Sequence, residues 1–281
     1  LFSGPKGLGK ATFAYHFINY LLSQNEDRKY SLKNFEIDIE NSSHKLINSS
    51  THPNFFLLEN LPSQKEIKID QVKELSKFLN KTTYSKNLKI VLIDGVENLN
   101  INSSNALLKA IEEPNKNTIF FLIHNSDLSI LKTIKSRCVQ FNFFFNLDSK
   151  KSIFKNLLKQ YPNLDVSINL LDSFYFDSPG NLINYLSIFS NSDSSSLDDT
   201  VSFIFLLIEK YKKDKNNENL SLILLMVQKY YTDILSYKKN QNLHFFNHSK
   251  IINQINLMKK FNLDDKSTFI LIKDILKSEE K

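Results

Sequence analysis

Three groups of residues in this chain have the types and spacing to handle phosphate. The first is Gly4-Pro5-Lys6-Gly7-Leu8-Gly9-Lys10, which fits the pattern G-x-x-x-x-G-K. There the glycines let backbone amides turn toward phosphate oxygens, the lysine reaches the outer phosphates, and the following helix adds the positive end of its dipole. Ala11 departs from the pattern, standing where a Ser or Thr hydroxyl would hold magnesium. Thr12 comes one residue late, about 100° around a helix, and is a poor substitute. The second group centres on Asp94, at the end of the apolar run Lys89-Ile90-Val91-Leu92-Ile93. A P-loop NTPase ends such a strand in acidic residues, one holding magnesium and the next activating water. Here the next residue is Gly95, and Glu97 lies two positions further on. The third is Arg137. Of 36 basic residues only Arg28 and Arg137 are arginine, so lysine serves almost everywhere that a positive charge is wanted. An arginine kept at a helix-to-strand junction suggests a need for the planar fork that grips phosphate or carboxylate with two bonds. The plainer reading is a local ion pair.

The elements that must position these residues follow from pattern. Leu1-Phe2-Ser3 reads as the tail of a strand feeding the glycine loop, so the chain is expected to continue upstream. Lys10 to Ser23 is an amphipathic helix, and residues 24–51, rich in Asn, Ser and Lys, are a long excursion with one short element near Phe35 to Ile39. Phe55 to Leu58 reads as a strand. Asp70 to Thr82, apolar at Val72, Leu75, Phe78 and Leu79, reads as a helix capped by Asp70. The strand ending at Asp94 comes next, then a helix from Ile101 to Glu112 that Pro114 stops. Thr118 to Ile123 is a second buried strand, followed by Asn125 in a polar loop, a short helix near Leu128 to Ile134, then Ser136-Arg137-Cys138 and a strand from Val139 to Phe143. Strand and helix in alternation predict an α/β fold with a parallel sheet, ligands lying beyond the strand carboxyl ends where Asp94 and Asn125 fall.

From Asp148 onward the pattern is helical only: Asp148 to Gln160, Asp165 to Phe176 and Gly180 to Asn191, broken by Ser178-Pro179-Gly180. Asn191 to Ser196 is linker-like. Leu197 to Lys213, Leu220 to Lys239, Phe245 to Lys260 and Asp265 to Lys277 read as a separate bundle. Its stripes (Phe203, Phe205, Leu206; Leu224, Tyr230, Tyr231) fit core or subunit contact better than a cofactor box. The expected domains are 1–146, 147–192 and 193–281.

The chain has 281 residues, 41% of them hydrophobic, enough for a large core in two or three domains. A single cysteine excludes an internal disulfide framework and fits a reducing cytosol. His44 and His52 lack cysteine neighbours and metal-ligand spacing, so each reads as an ordinary loop or core histidine. No apolar run is long enough to span a membrane. The net charge of +6 mildly favours polyanion binding, though a solvated lysine surface gives the same number.

At this point the chain resembles the bacterial clamp-loader subunits of the AAA+ class, within them the delta prime type of DNA polymerase III. The resemblance rests on the loop Gly4 to Lys10, on Asn105-Ala106-Leu107-Leu108-Lys109-Ala110-Ile111-Glu112-Glu113-Pro114, similar to the family's N-A-L-L-K-x-L-E-E-P run, and on Ser136-Arg137-Cys138, similar to its S-R-C motif. It implies an AAA+ core, a small helical lid and an all-α collar through which subunits assemble. It implies partners too: gamma/tau and delta subunits, and through them a sliding clamp and primed DNA at the bacterial replisome in the cytoplasm. It also implies that Arg137 is an arginine finger acting on a neighbouring subunit's ATP, and that Asn125 sits near the family's sensor-1 position. Ala11, Gly95, and Asn181 after Gly180 replace three features of the ATP-hydrolysing members: the magnesium hydroxyl, the catalytic Glu and the lid arginine. A loop without turnover is expected, with non-productive ATP or ADP binding left open. The cysteine-free 24–51 stretch occupies the place of a four-cysteine zinc module, so no zinc is expected there. The rivals are an active motor subunit or other AAA+ ATPase using Thr12 and Glu97, and a plain DNA-binding scaffold.

Overall fold

The computed structural model describes residues 1–61, 64, 66–81, 88–114, 117–159, 177–190, 200–215, 217–237, 241–261 and 263–279. It divides into two compact units, Leu1–Pro162 with Phe174–Asn184, and Asn163–Ser173 with Tyr185–Lys281. The helix expected at 165–176 and the linker at 191–196 lie outside the described residues.

The first unit is built on a parallel sheet of five strands: β1 (Phe2–Gly4), β2 (Phe55–Leu58), β3 (Lys89–Asp94), β4 (Thr118–Asn125) and β5 (Phe141–Asn142), in the order β2-β3-β4-β1-β5. The expected α/β class and parallel sheet are what forms. Period-two alternation along β3 divides its side chains between two cores. Val91 and Ile93 join Leu58 and Leu122 under α3 (Ile69–Asn80) and α4 (Ile101–Glu112), against Val72, Leu75 and Leu107. Ile90 and Leu92 face the other way, joining Phe2, Phe121 and Ile123 beneath Ala14 and Ile18 of α1 (Lys10–Leu22) and Ile47 of α2 (Ser42–Asn48). Each such fully buried aliphatic side chain contributes about 1.5–3 kcal/mol.

Register places the chemistry. Gly4 of β1 stands beside Asn125 of β4, and Asp94 of β3 beside Ile123, so the ends of three adjacent strands open on one edge. At the opposite edge Lys89, buried, donates to the carbonyls of Phe78, Leu79 and Lys81 and so closes the last turn of α3.

Several boundaries differ from expectation. Asp70 does not cap α3. It lies in the first turn and pairs with Lys73 at 2.8 Å, while the Gln71 side chain accepts from the Lys68 amide. The short helix before Arg137 is α5, Lys132–Ser136, four residues later than its expected start. β5 has two residues where Val139 to Phe143 was expected, Phe141 pairing with Phe2 and Asn142 with Ser3 of β1. The 24–51 excursion carries an unexpected helix, α2, whose first turn is capped by Asn41 accepting from His44 N at 2.7 Å. Glu26 reaches across to Asn41 and Ser43 and ties the excursion down. Further helices are α6 (Leu147–Lys159) and α7 (Pro179–Ser190).

The second unit contains helices Thr200–Asp214, Asn217–Tyr237, Gln241–Phe261 and Asp265–Glu279, close to the four expected. Phe203, Ile204, Tyr231, Ile255, Phe269 and Ile272 are buried in it, so the stripes Phe203 and Tyr231 belong to core. Among the described residues no helix is long and apolar enough to cross a membrane.

Candidate functional site

The glycine loop takes the shape its motif requires. Gly7 and Gly9 have φ of +83° and +79°, left-handed values open chiefly to glycine, and Gly9 leads directly into α1. Lys10, the first residue of that helix, is buried, and its Nζ donates to the carbonyls of Gly4 and Pro5 at 2.7 and 2.6 Å. Burial holds the Lys10 ammonium below its usual pKa, with Glu97, Asp94 and Asp127 acting against that.

A cleft of about 1300 Å³ opens beside the loop. Gly7, Gly9, Lys10, Ala11, Thr12, Asp94 and Asn125 all line it, so the structure brings together what the sequence nominated, with Gly4 beneath as the acceptor for Lys10. Gly95 and Glu97 line it too. Gly95 has φ of +80°, and a Cβ built there would lie 2.5 Å from Asn98 Nδ2, so the position of a water-activating acid is one that L side chains rarely adopt. Glu97 accepts from the Asn125 amide through Oε2 at 3.1 Å, which commits it to the end of β4.

Glu59 and Asn60 also line the cleft, and sequence reasoning missed them. They follow β2 as Asp94 ends β3, so the strand-end rule that found Asp94 would have found Glu59. Burial, then Glu97, pushes the Asp94 carboxyl above the ordinary range, with Lys10 and Lys6 opposing, and burial, then Asp94, does the same to Glu59.

The lid side is formed by the start of α7. The Gly180 amide donates to Gly7 O at 3.0 Å, and Pro179, Gly180, Ile183 and Asn184 line the cleft. Asn181 donates through Nδ2 to Asp177 Oδ1 at 2.9 Å.

For a nucleoside triphosphate these residues fit in part. The loop amides from Gly7 to Lys10 and the Lys10 ammonium would hold phosphate. The magnesium set does not fit, since Ala11 has no hydroxyl, and without the cation a triphosphate would meet Asp94, Glu97 and Glu59. Among the described residues no cluster of three His, Cys, Asp or Glu side chains stands ready for a metal. His44, within α2, bonds to Asn48, and His52 accepts from the Asn54 amide.

Ser136, Arg137 and Cys138 stand apart and do not line the cleft. Arg137 follows α5. Its Nη2 pairs with Glu112 Oε1 at 2.6 Å, its Nη1 donates to Thr133 O at 3.1 Å, and 39% of the side chain is exposed. Ser136 Oγ donates to Thr133 O at 3.1 Å, and Cys138 packs against the core, where burial raises its thiol pKa.

Sheet, loop and cleft define a core of the AAA+ P-loop class. The chain belongs to the family described as DNA polymerase III, delta subunit, whose model matches residues 1–145. A relative in Pseudomonas aeruginosa, DNA polymerase III subunit delta', is 38% identical over 140 residues, covering 50% of this chain and 41% of that protein. The Bacillus subtilis protein of the same name is 32% identical over 140 residues, 49% of this chain and 39% of its own. A DNA polymerase III subunit gamma from Buchnera aphidicola (subspecies Baizongia pistaciae) is 30% identical over 194 residues, 67% and 48%. The expectation of a delta prime-type subunit agrees with these matches. The chain spans less than half the length of these curated relatives.

Proposed function

We propose that the chain serves as the stator of a clamp loader: it fixes the assembly's geometry and offers Arg137 to the ATP of an adjacent subunit without turning over ATP itself. The observation that carries this is a separation. The cleft lacks a magnesium hydroxyl at Ala11 and an acid at Gly95, while Arg137 stands exposed and outside that cleft. A guanidinium of this kind stabilises transition-state charge on the phosphoryl group in transfer. The expected partners are gamma/tau and delta subunits of DNA polymerase III, and through them a sliding clamp and primed DNA in the bacterial cytoplasm. Residues 147–192 would act as lid and 193–281 as assembly collar.

The motor reading has one observation in its favour, that Glu97 lines the cleft near Lys10. Its carboxylate is held by the Asn125 amide, and no hydroxyl follows Lys10 directly. Magnesium-dependent ATP hydrolysis by the isolated chain separates the two. The stator shows none above a heat-inactivated control, whereas steady turnover that Glu97→Gln abolishes establishes the motor.

A further inference from the structure

We propose that Glu112 is the positioning residue for Arg137, presenting its guanidinium at a fixed angle to the neighbouring subunit's triphosphate. This rests on the trans-acting reading given above. Glu112 is the last residue of α4, and Arg137 follows the last residue of α5. The two helices are anchored in one core by Leu107 and Ile134, both buried, with Cys138 packed against the same cluster. The side chains that meet above this core therefore spring from a rigid base on both sides.

The fork is gripped twice. Nη2 pairs with Glu112 at 2.6 Å and Nη1 donates to Thr133 O at 3.1 Å, which sets both the plane of the guanidinium and its direction along that plane. Five N–H donors are available, so three remain for an outside acceptor. An ion pair this exposed adds little to fold stability. Its effect is on freedom, since an untethered arginine must be ordered at the moment of reaction and a held one is already in place. The other arginine, Arg28, approaches Asp38 at 3.9 Å, with no second side-chain anchor among the described residues. The adjacent Glu113 is also exposed, so a charge for solubility was available without Glu112 making this contact.

The test uses the reconstituted loader with clamp and primed DNA. Glu112→Ala should lower kcat for ATP about tenfold with KM for ATP unchanged, because the neighbour's own loop binds the nucleotide. Glu112→Gln, which keeps an acceptor oxygen, should recover most of that rate. In an Arg137→Ala background, Glu112→Ala should do nothing more. Wild-type kcat in Glu112→Ala beside a crippled Arg137→Ala overturns the positioning role and leaves the finger intact. A further fall in the Arg137→Ala background, or a lowered melting temperature matching the loss of rate, assigns Glu112 a structural role and also overturns it. An Arg137→Ala loader as fast as wild type removes the finger itself.

Discussion

The amide of Gly180 donates to the carbonyl of Gly7 at 3.0 Å, joining the start of α7 to the phosphate loop backbone to backbone. The approach leaves no room for side chains. A Cβ on Gly180 would lie 2.8 Å from Gly7 O, and one on Gly7 would run into Ser178 Oγ in a backbone already at φ +83°.

Gly180→Ala should therefore cost about 1–3 kcal/mol through overpacking. Gly7→Ala should cost more, since it adds the left-handed penalty of about 1–2 kcal/mol. Chemical denaturation of both variants checks the order. A Gly7→Ala protein as stable as wild type would show that loop and helix do not meet in this way.

Gly95→Glu should not create an ATPase. The substitution places a side chain at φ +80° against Asn98 and is expected to cost about 1–2 kcal/mol. Magnesium-dependent turnover of the variant, measured beside its melting temperature, is the check, and a gain of activity in a stable protein would contradict it.

Asp94→Asn should stabilise. Burial and Glu97 raise the folded-state pKa of Asp94, so the folded protein binds the proton more tightly than the unfolded chain does. Stability then falls as pH rises above the ordinary carboxylate value, and the loss is complete once the pH passes the raised folded-state value. The amide removes it, so the variant should melt higher than wild type at pH 7, with the advantage shrinking as the pH is lowered toward that ordinary value. A lower melting temperature at pH 7 would mean that Lys10 and Lys6 outweigh the burial.

Asn41→Ala should loosen the 24–51 excursion. The Asn41 side chain accepts from His44 N and donates to Glu26 and to Arg28 O, and its loss is expected to cost about 1–3 kcal/mol. Faster amide exchange confined to α2 and its surroundings would register it, and unchanged exchange there would refute it.

What could be read from the sequence was local. The helix Ile101–Glu112 was legible because Pro114 stops it, and the structure adds Asn100 as its cap. β3 was legible because four consecutive buried β-branched or leucine side chains end on a carboxylate. The loop glycines announced their own backbone angles. What escaped was set by partners distant in the chain. Helix α2 sits in a polar run whose composition hides the Asn41 cap. Asp70 looked like a cap, but the helix opens earlier, with Gln71 supplying the acceptor. No pattern near Gly180 shows that it must press on Gly7, and none near Arg137 shows that Glu112 lies within reach.

The measurement that bears most directly on the stator reading is ATP hydrolysis by the reconstituted loader, stimulated by clamp and primed DNA, with this subunit carrying either Arg137→Ala or Lys10→Ala and both variants incorporated equally. Arg137→Ala should cut the rate by about a thousandfold or more at the site it serves, while Lys10→Ala should leave the rate close to wild type. Equal damage from the two would mean that this chain's own loop does the chemistry, and would contradict the account.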